Sequence, residues 1–279
     1  MPRLFRLAVS SIRIKECVEG CVAAIAQAGE RGADLLLLPE EPDIVSGRKA
    51  GEYALEEHPA FRAFSEGVAK ANVGVVSSLS VKALGGIANT GFLLNRRGKL
   101  IGTYRKKHPA PTEEYLVTTP ETIDGAPDPF PVYEFEGVRL GMAICMDIHF
   151  PEMFRIYSLK DADLVCLPTM YMDYTGDMLE SIEKARAADN QMYLALSRYI
   201  EQPYLAGKSM GYAKVIAPDG RIISSTGHAD GIAIAEFDPK WRMPFWGKDY
   251  KDMRDVYTRP RRPDFYSELV KPKNGQADP

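Results

Sequence analysis

Apolar positions along this chain recur in short blocks whose period switches between two residues and three to four. "LFRLAVS" reads as a buried strand, and Lys15 to Arg31 carries helical spacing that Gly32 ends. "ADLLLLPE" is a second apolar strand, and Pro59 to Ala71 a helix with proline in its first turn. "VGVVSSLSV", "ANTGFLLN" and "KLIGTYR" follow as strands, the last two joined by a hairpin turn at "RRGK". After a proline-rich loop from Pro109 to Pro131, "PVYEFEGVRLGMAIC" predicts a hairpin around Glu136 and Gly137. "PEMFRIYSLKDA" predicts a helix, "DLVCLPT" a strand, "DMLESIEKARAADNQ" a helix and "MYLALSRY" a strand. "GYAKVIAPDGRIISSTG" is a hairpin turning at Pro218-Asp219-Gly220, and "GIAIAEF" a last strand.

Strands alternating with helices, interrupted by hairpins, make an α/β fold whose sheet holds parallel and antiparallel pairs. No Pro/Gly/Ser-rich linker or repeat divides the chain. One domain over residues 1–279 is therefore expected, with 238–279 as a tail lacking periodicity that packs on the surface or on a neighbouring subunit.

Composition narrows the function classes. With 279 residues, 45% hydrophobic, 26% charged and a net charge of −3, the chain offers no general electrostatic case for nucleic acid or an anionic membrane as partner. Its longest apolar runs fall far short of the roughly 20 residues that span a bilayer. The start, "MPRLFRLAVSSIR", enters a strand directly, without a signal-peptide pattern, so a cytoplasmic protein is expected. Four cysteines do not suggest a disulfide framework. Cys17 and Cys21 lie four apart on a helix without a Cys/His pair nearby, so they read as packing rather than zinc ligands. No metal cluster and no phosphate-binding glycine loop suggests a cofactor.

Three polar residues end apolar strands: Glu40 after "LLLLP", Lys106 after "LIGTYR" and Cys145 after "RLGMAI". In α/β sheets ligands collect at the carboxyl ends of strands. A thiol needs a base at neutral pH, a carboxylate withdrawn from water can serve, and an ammonium offers an oxyanion donor. Together these three groups suffice for acyl transfer without histidine.

The sequence resembles the nitrilase (carbon-nitrogen hydrolase) superfamily in "DLLLLPE", "GTYRKKH" and "GMAICMDIHFPEMFR", and also in "KARAADNQMYLALSR" and "GYAKVIAPDGRII". The resemblance implies a four-layer αββα sandwich that pairs into homodimers or larger assemblies. It implies Glu40 as general base, Lys106 as oxyanion stabiliser, Cys145 as nucleophile and the Met146 N–H as second oxyanion donor. It also implies an accessory glutamate, for which Glu114 fits better than Glu113 by its spacing to Pro120. His149 stands where the family frequently has arginine, and Tyr171 where it often has tryptophan. With Tyr115, Met170 and Met172 these are expected to line a partly aromatic pocket. The implied substrate is a small amide or N-carbamoyl compound, with a nitrile or non-catalytic ligand binding as alternatives.

Two rival patterns are present in the sequence. "GKSMG", Gly207 to Gly211, followed by Asp219 and His228, matches a serine-hydrolase elbow, but a hairpin follows where a helix is needed. A Cys145–His149 pair lacks helical support, because "HFP" precedes the helix.

Overall fold

The computed structural model describes residues 3–117, 128–170, 177–200, 212–227 and 229–271. Strands β1 (Phe5–Arg13), β2 (Leu35–Leu37), β3 (Gly74–Ala83), β4 (Gly86–Leu94), β5 (Leu100–Arg105) and β12 (Gly231–Phe237) form one half of the β structure, in the order β5-β4-β3-β2-β1-β12. The other half contains β6 (Val132–Phe135), β7 (Val138–Met142), β8 (Leu164–Pro168), β9 (Tyr193–Ile200), β10 (Lys214–Ile216) and β11 (Ile222–Ser225), in that spatial order. A short parallel pairing of Ser11–Arg13 with Arg198–Ile200 joins the halves at one corner. The pairs β1–β2, β2–β3, β7–β8 and β8–β9 are parallel, and the hairpin pairs at the edges are antiparallel.

The alternation of each central strand decides what it separates. Leu7 and Val9 of β1, Leu35 and Leu37 of β2 and Val76 of β3 point into a core shared with Leu140, Leu164 and Leu194 of the second half. Their neighbours Ala8, Leu36 and Val75 point the other way, onto helices α1 (Cys17–Glu30) and α3 (Pro59–Ala71). Strands apolar on both faces are what a sheet covered on both sides requires. On α1, Cys21, Ala24, Ile25 and Ala28 face that layer; on α3, Phe61, Phe64 and Val68 do. The two helices approach so closely at Gly29 that a Cβ there would lie 2.3 Å from the Ala71 carbonyl oxygen. Helices α4 (Pro151–Leu159) and α5 (Asp177–Ala188) contribute Met153, Phe154, Tyr157, Leu179 and Ala187 to the other core. Layers of helix, sheet, sheet and helix result.

The turns form where expected. Gly98 (φ +73°) closes the β4–β5 hairpin, Glu136 (φ +48°) and Gly137 (φ +85°) the β6–β7 hairpin, and Gly220 (φ +83°) the β10–β11 hairpin. Helix α2 (Pro42–Val45), a 3₁₀ turn at Leu55–Glu57 and α6 (Met253–Thr258) were not evident from periodicity, because each is too short to express one. The tail lies against its own chain. Arg254 of α6 is buried and donates to the carbonyls of Ala162 and Gln191, while Arg242 and Lys240 pair with Asp163. No helix among the described residues is long and apolar enough to cross a membrane.

Candidate active site

Strand β2 runs between two parallel neighbours and delivers its chain, through Leu38 and Pro39, to Glu40. Strand β5, two antiparallel steps beyond β3, points the same way and ends at Lys106. Strand β7 continues through Ala143 and Ile144 to Cys145, and β8 through Thr169 to Met170. Four strands thus open their carboxyl ends on one place, with Glu40 and Lys106 almost wholly buried and Cys145 buried at 7% exposure.

The Lys106 ammonium holds this place together. Its Nζ donates to Glu40 Oε1 at 2.8 Å and to both Glu113 oxygens at 2.9 and 2.7 Å. Glu40 Oε1 also accepts from Asn89 Nδ2 at 2.8 Å, and Oε2 from the Met170 N–H at 2.9 Å. The Cys145 thiol lies beside Glu40, with the Thr169 side chain and the Met170 backbone near the sulfur.

Burial raises Glu40 above the usual carboxylate range; Lys106 pulls it back and Glu113 adds to the rise. Burial also opposes charge on Lys106, but Glu40, Cys145 and Glu113 outweigh it and keep the ammonium protonated. Burial, then the Glu40 charge, pushes the Cys145 thiol well up, so the resting sulfur is a thiol beside a carboxylate.

Local geometry explains how Cys145 is presented. It takes φ +47°, a left-handed backbone that is uncommon for a residue with a side chain, and begins a 3₁₀ turn, Cys145–His149. Asp147, fully buried, locks that turn. Its carboxylate accepts from the Ile144 N–H (2.8 Å), the Tyr104 hydroxyl (2.7 Å) and the His108 N–H (3.1 Å), and meets His108 Nδ1 at 2.7 Å. His108 in turn stacks on Phe150 at 3.6 Å. Asp147 therefore ties the nucleophile's turn to the β5 end that carries Lys106.

Of the two glutamates considered for the accessory place, the structure sets Glu113 and not Glu114 on Lys106. In the turn from Ala110 to Leu116 the Ala110 N–H donates to Glu113 Oε2 at 2.6 Å, which aims the Glu113 carboxylate at Lys106. Glu114 faces solvent. Spacing to a distant proline could not resolve this, because adjacent residues in a turn point to opposite sides. Glu113→Gln should lower kcat/KM on the order of 10²-fold, as misplaced charge in a preorganised site does. Glu114→Gln should stay within about twofold, since it touches none of this machinery. Steady-state kinetics on both variants checks the assignment.

Other expected residues lie beside this place, away from it or outside the described residues. Met170 meets Glu40 through its backbone, and Met146 follows Cys145, partly buried. His149 ends the turn, exposed, with its backbone carbonyl accepting from Arg186, and no hydrogen bond among the described residues joins it to Cys145. Tyr171, Met172, the Gly207–Gly211 elbow and His228 lie outside the described residues. Asp219 caps its own turn through the Arg221 N–H at 3.1 Å, in a hairpin rather than before a helix.

Sequence reasoning passed over Asn89, Thr169 and the structural role of Asp147. A lone asparagine facing inward from an apolar strand was the available signal for the first. Oxygens of Glu40, Glu41 and Glu113 approach within 4.8 Å of one another, a spacing a metal ion could use. The Lys106 ammonium already bonds two of the three carboxylates, so an internal cation does that work.

Comparison with known proteins shows the family of the chain. The family model described as carbon-nitrogen hydrolase matches residues 7–242. The chain is 26% identical to the bovine protein named omega-amidase NIT2 over 91% of its own length and 96% of that protein's. It is 30% identical to a hydrolase encoded in the pqqF 5′ region of Pseudomonas protegens, covering 86% of this chain and 81% of the other. Among solved structures an amidase from Nesterenkonia sp. superposes with a TM-score of 0.77 at 21% identity, covering 97% of this chain and 98% of that one. With the sandwich, the strand ends and the matched model in agreement, the chain belongs to the carbon-nitrogen hydrolase family of the nitrilase superfamily.

Proposed function

We propose that the protein hydrolyses the C–N bond of a small amide or N-carbamoyl compound through a thioester on Cys145. The observation that carries this reading is the single ammonium, Lys106, bonded to both Glu40 and Glu113, with the Cys145 thiol on Glu40. Glu40 takes the thiol proton as the sulfur attacks the carbonyl carbon. Charge moves to the carbonyl oxygen, where the Lys106 ammonium and the Met146 N–H are the donors. The C–N bond breaks as Glu40 returns its proton to the nitrogen, leaving a thioester and free ammonia or amine. Water then gives a proton to Glu40 and attacks the same carbon. The C–S bond breaks, the acid departs, and the sulfur recovers its proton.

A base raised by burial has a kinetic signature. Glu40 must be ionised to act, so kcat/KM should fall as pH drops through its raised value, placing the acid limb above the ordinary carboxylate range. A pH profile of kcat/KM flat to below about pH 4 would remove Glu40 as base.

Ammonia release from aliphatic amides, aromatic amides, N-carbamoyl compounds and nitriles, with Cys145→Ala as blank, tests the whole reading. Release with an amide or carbamoyl compound that vanishes in the blank is expected. Release from nitriles alone would transfer the protein to nitrile hydrolysis. Release that survives in the blank would overturn the thioester.

We further propose a homodimer or larger assembly in the cytoplasm. Its support is the apolar surface of the tail, where Trp246, Phe265, Leu269 and Val270 are exposed.

A further inference from the structure

Glu41 follows the base directly and has no part in the chemistry above. It is 1% exposed and takes φ +45°, with its N–H held by the Ser78 carbonyl at 3.1 Å. That backbone turns its carboxylate back toward Glu40 and Glu113, with one oxygen of each within 4.8 Å of the others. Glu41 Oε1 has no hydrogen-bond partner among the described residues.

Charge around it is unbalanced. Lys106 bonds Glu40 and Glu113 and makes no ion pair with Glu41. Asp43, fully buried two residues on, is a further acid; its Oδ2 faces His58 Nε2 at 3.2 Å and the Ser80 N–H at 3.3 Å. Burial, then the charges of Glu40 and Asp43, raise Glu41 well above the usual carboxylate range. A buried acceptor without a partner beside excess negative charge is a place where a cation is stabilised. Tyr115, 49% exposed, lies near enough to feel the same charge: partial burial, then the Glu41 charge ahead of Glu113, raises its phenol. An aromatic ring beside a carboxylate suits an ammonium group.

We propose that Glu41 is a specificity-determining residue that receives an ammonium at the far end of the substrate, so the preferred substrates are amides bearing a basic amine. The proposal rests on the hydrolase reading. Glu41 lies beside Glu40, the group that acts on the Cys145 thiol, so the far end of a short substrate is the part assigned to Glu41. A carboxylate-bearing amide would meet like charge there. A divalent metal would have to displace Lys106 from two carboxylates.

The test uses three amides of matched length: γ-aminobutyramide, pentanamide and succinamate. In the wild type, kcat/KM should be at least about tenfold higher for the amine than for pentanamide, and lowest for succinamate. Glu41→Gln should reduce the amine-to-pentanamide ratio at least about tenfold, through KM more than kcat, and Glu41→Asp should keep the order. An unchanged ratio in Glu41→Gln, or a wild type that favours succinamate, overturns the proposal while the hydrolase reading stands. Should Glu41→Gln not fold, the wild-type order alone decides. If none of the three is hydrolysed, that hydrolase reading fails for simple amides. Calorimetric titration of the same compounds into Cys145→Ala then decides the charge preference: tighter binding of the amine upholds it, equal or weaker binding overturns it.

Discussion

Cys145→Ala should abolish turnover, with a fall on the order of 10⁵-fold or more, because the proposed acyl bond forms on its sulfur. The variant loses one sulfur atom from a 7% exposed site and keeps the left-handed turn, whose conformation is anchored by Asp147 rather than by the thiol. Its stability should change by about 1 kcal/mol or less, as small core truncations do. Mass spectrometry separates the two effects. Wild-type protein quenched during turnover should carry the added mass of the acyl group, and Cys145→Ala should carry none while its urea midpoint stays near that of the wild type. Measurable Cys145-independent hydrolysis would end the thioester mechanism.

Lys106→Ala costs the protein both its chemistry and part of its fold. Removing one oxyanion donor alone lowers kcat on the order of 10²–10³-fold. Lys106 is also the ammonium that Glu40 and Glu113 share at 2.7–2.9 Å, with its side chain only 1% exposed. Removing one member of a buried ion pair costs about 3–5 kcal/mol, since the remaining charges are left uncompensated. The deficit should depend on pH with a defined sign. Burial raises Glu40 even with Lys106 beside it, so a folded-state carboxyl above its unfolded value loses stability as pH rises and regains it as pH falls. Urea titrations of wild type and Lys106→Ala should therefore converge towards acid pH and diverge towards neutral pH. Parallel curves would mean that Lys106 has no role in neutralising the site.

The candidate residues for the proposed chemistry were legible because strands announce their ends. "LLLLPE", "LIGTYRK" and "RLGMAIC" each run apolar until a reactive side chain breaks the pattern, and the structure brings Glu40, Lys106 and Cys145 together at those breaks. Continuous apolar runs in β1, β2 and β3, with side chains for both faces, likewise fit a sheet covered on two sides. Turn chemistry at Gly98, Gly137 and Gly220 marked three hairpins because few residues adopt positive φ. These features are local: each depends on neighbours within a few positions.

Tertiary structure alone decided the rest. Glu113 and Glu114 are adjacent and chemically identical, and only the turn from Ala110 to Leu116 turns the first toward Lys106 and the second to solvent. Asn89 in mid-strand, Met170 through its backbone and Asp147 through three elements serve the site across separations that no spacing along the chain encodes. His149 ends a 3₁₀ turn, exposed, with its backbone carbonyl accepting from Arg186, a placement that no spacing along the chain encodes. Sequence periodicity determined which segments become strands and helices and where each ends. Long-range packing determined which of the polar groups at those ends share one buried place, because burial and charge act through space and not along the chain.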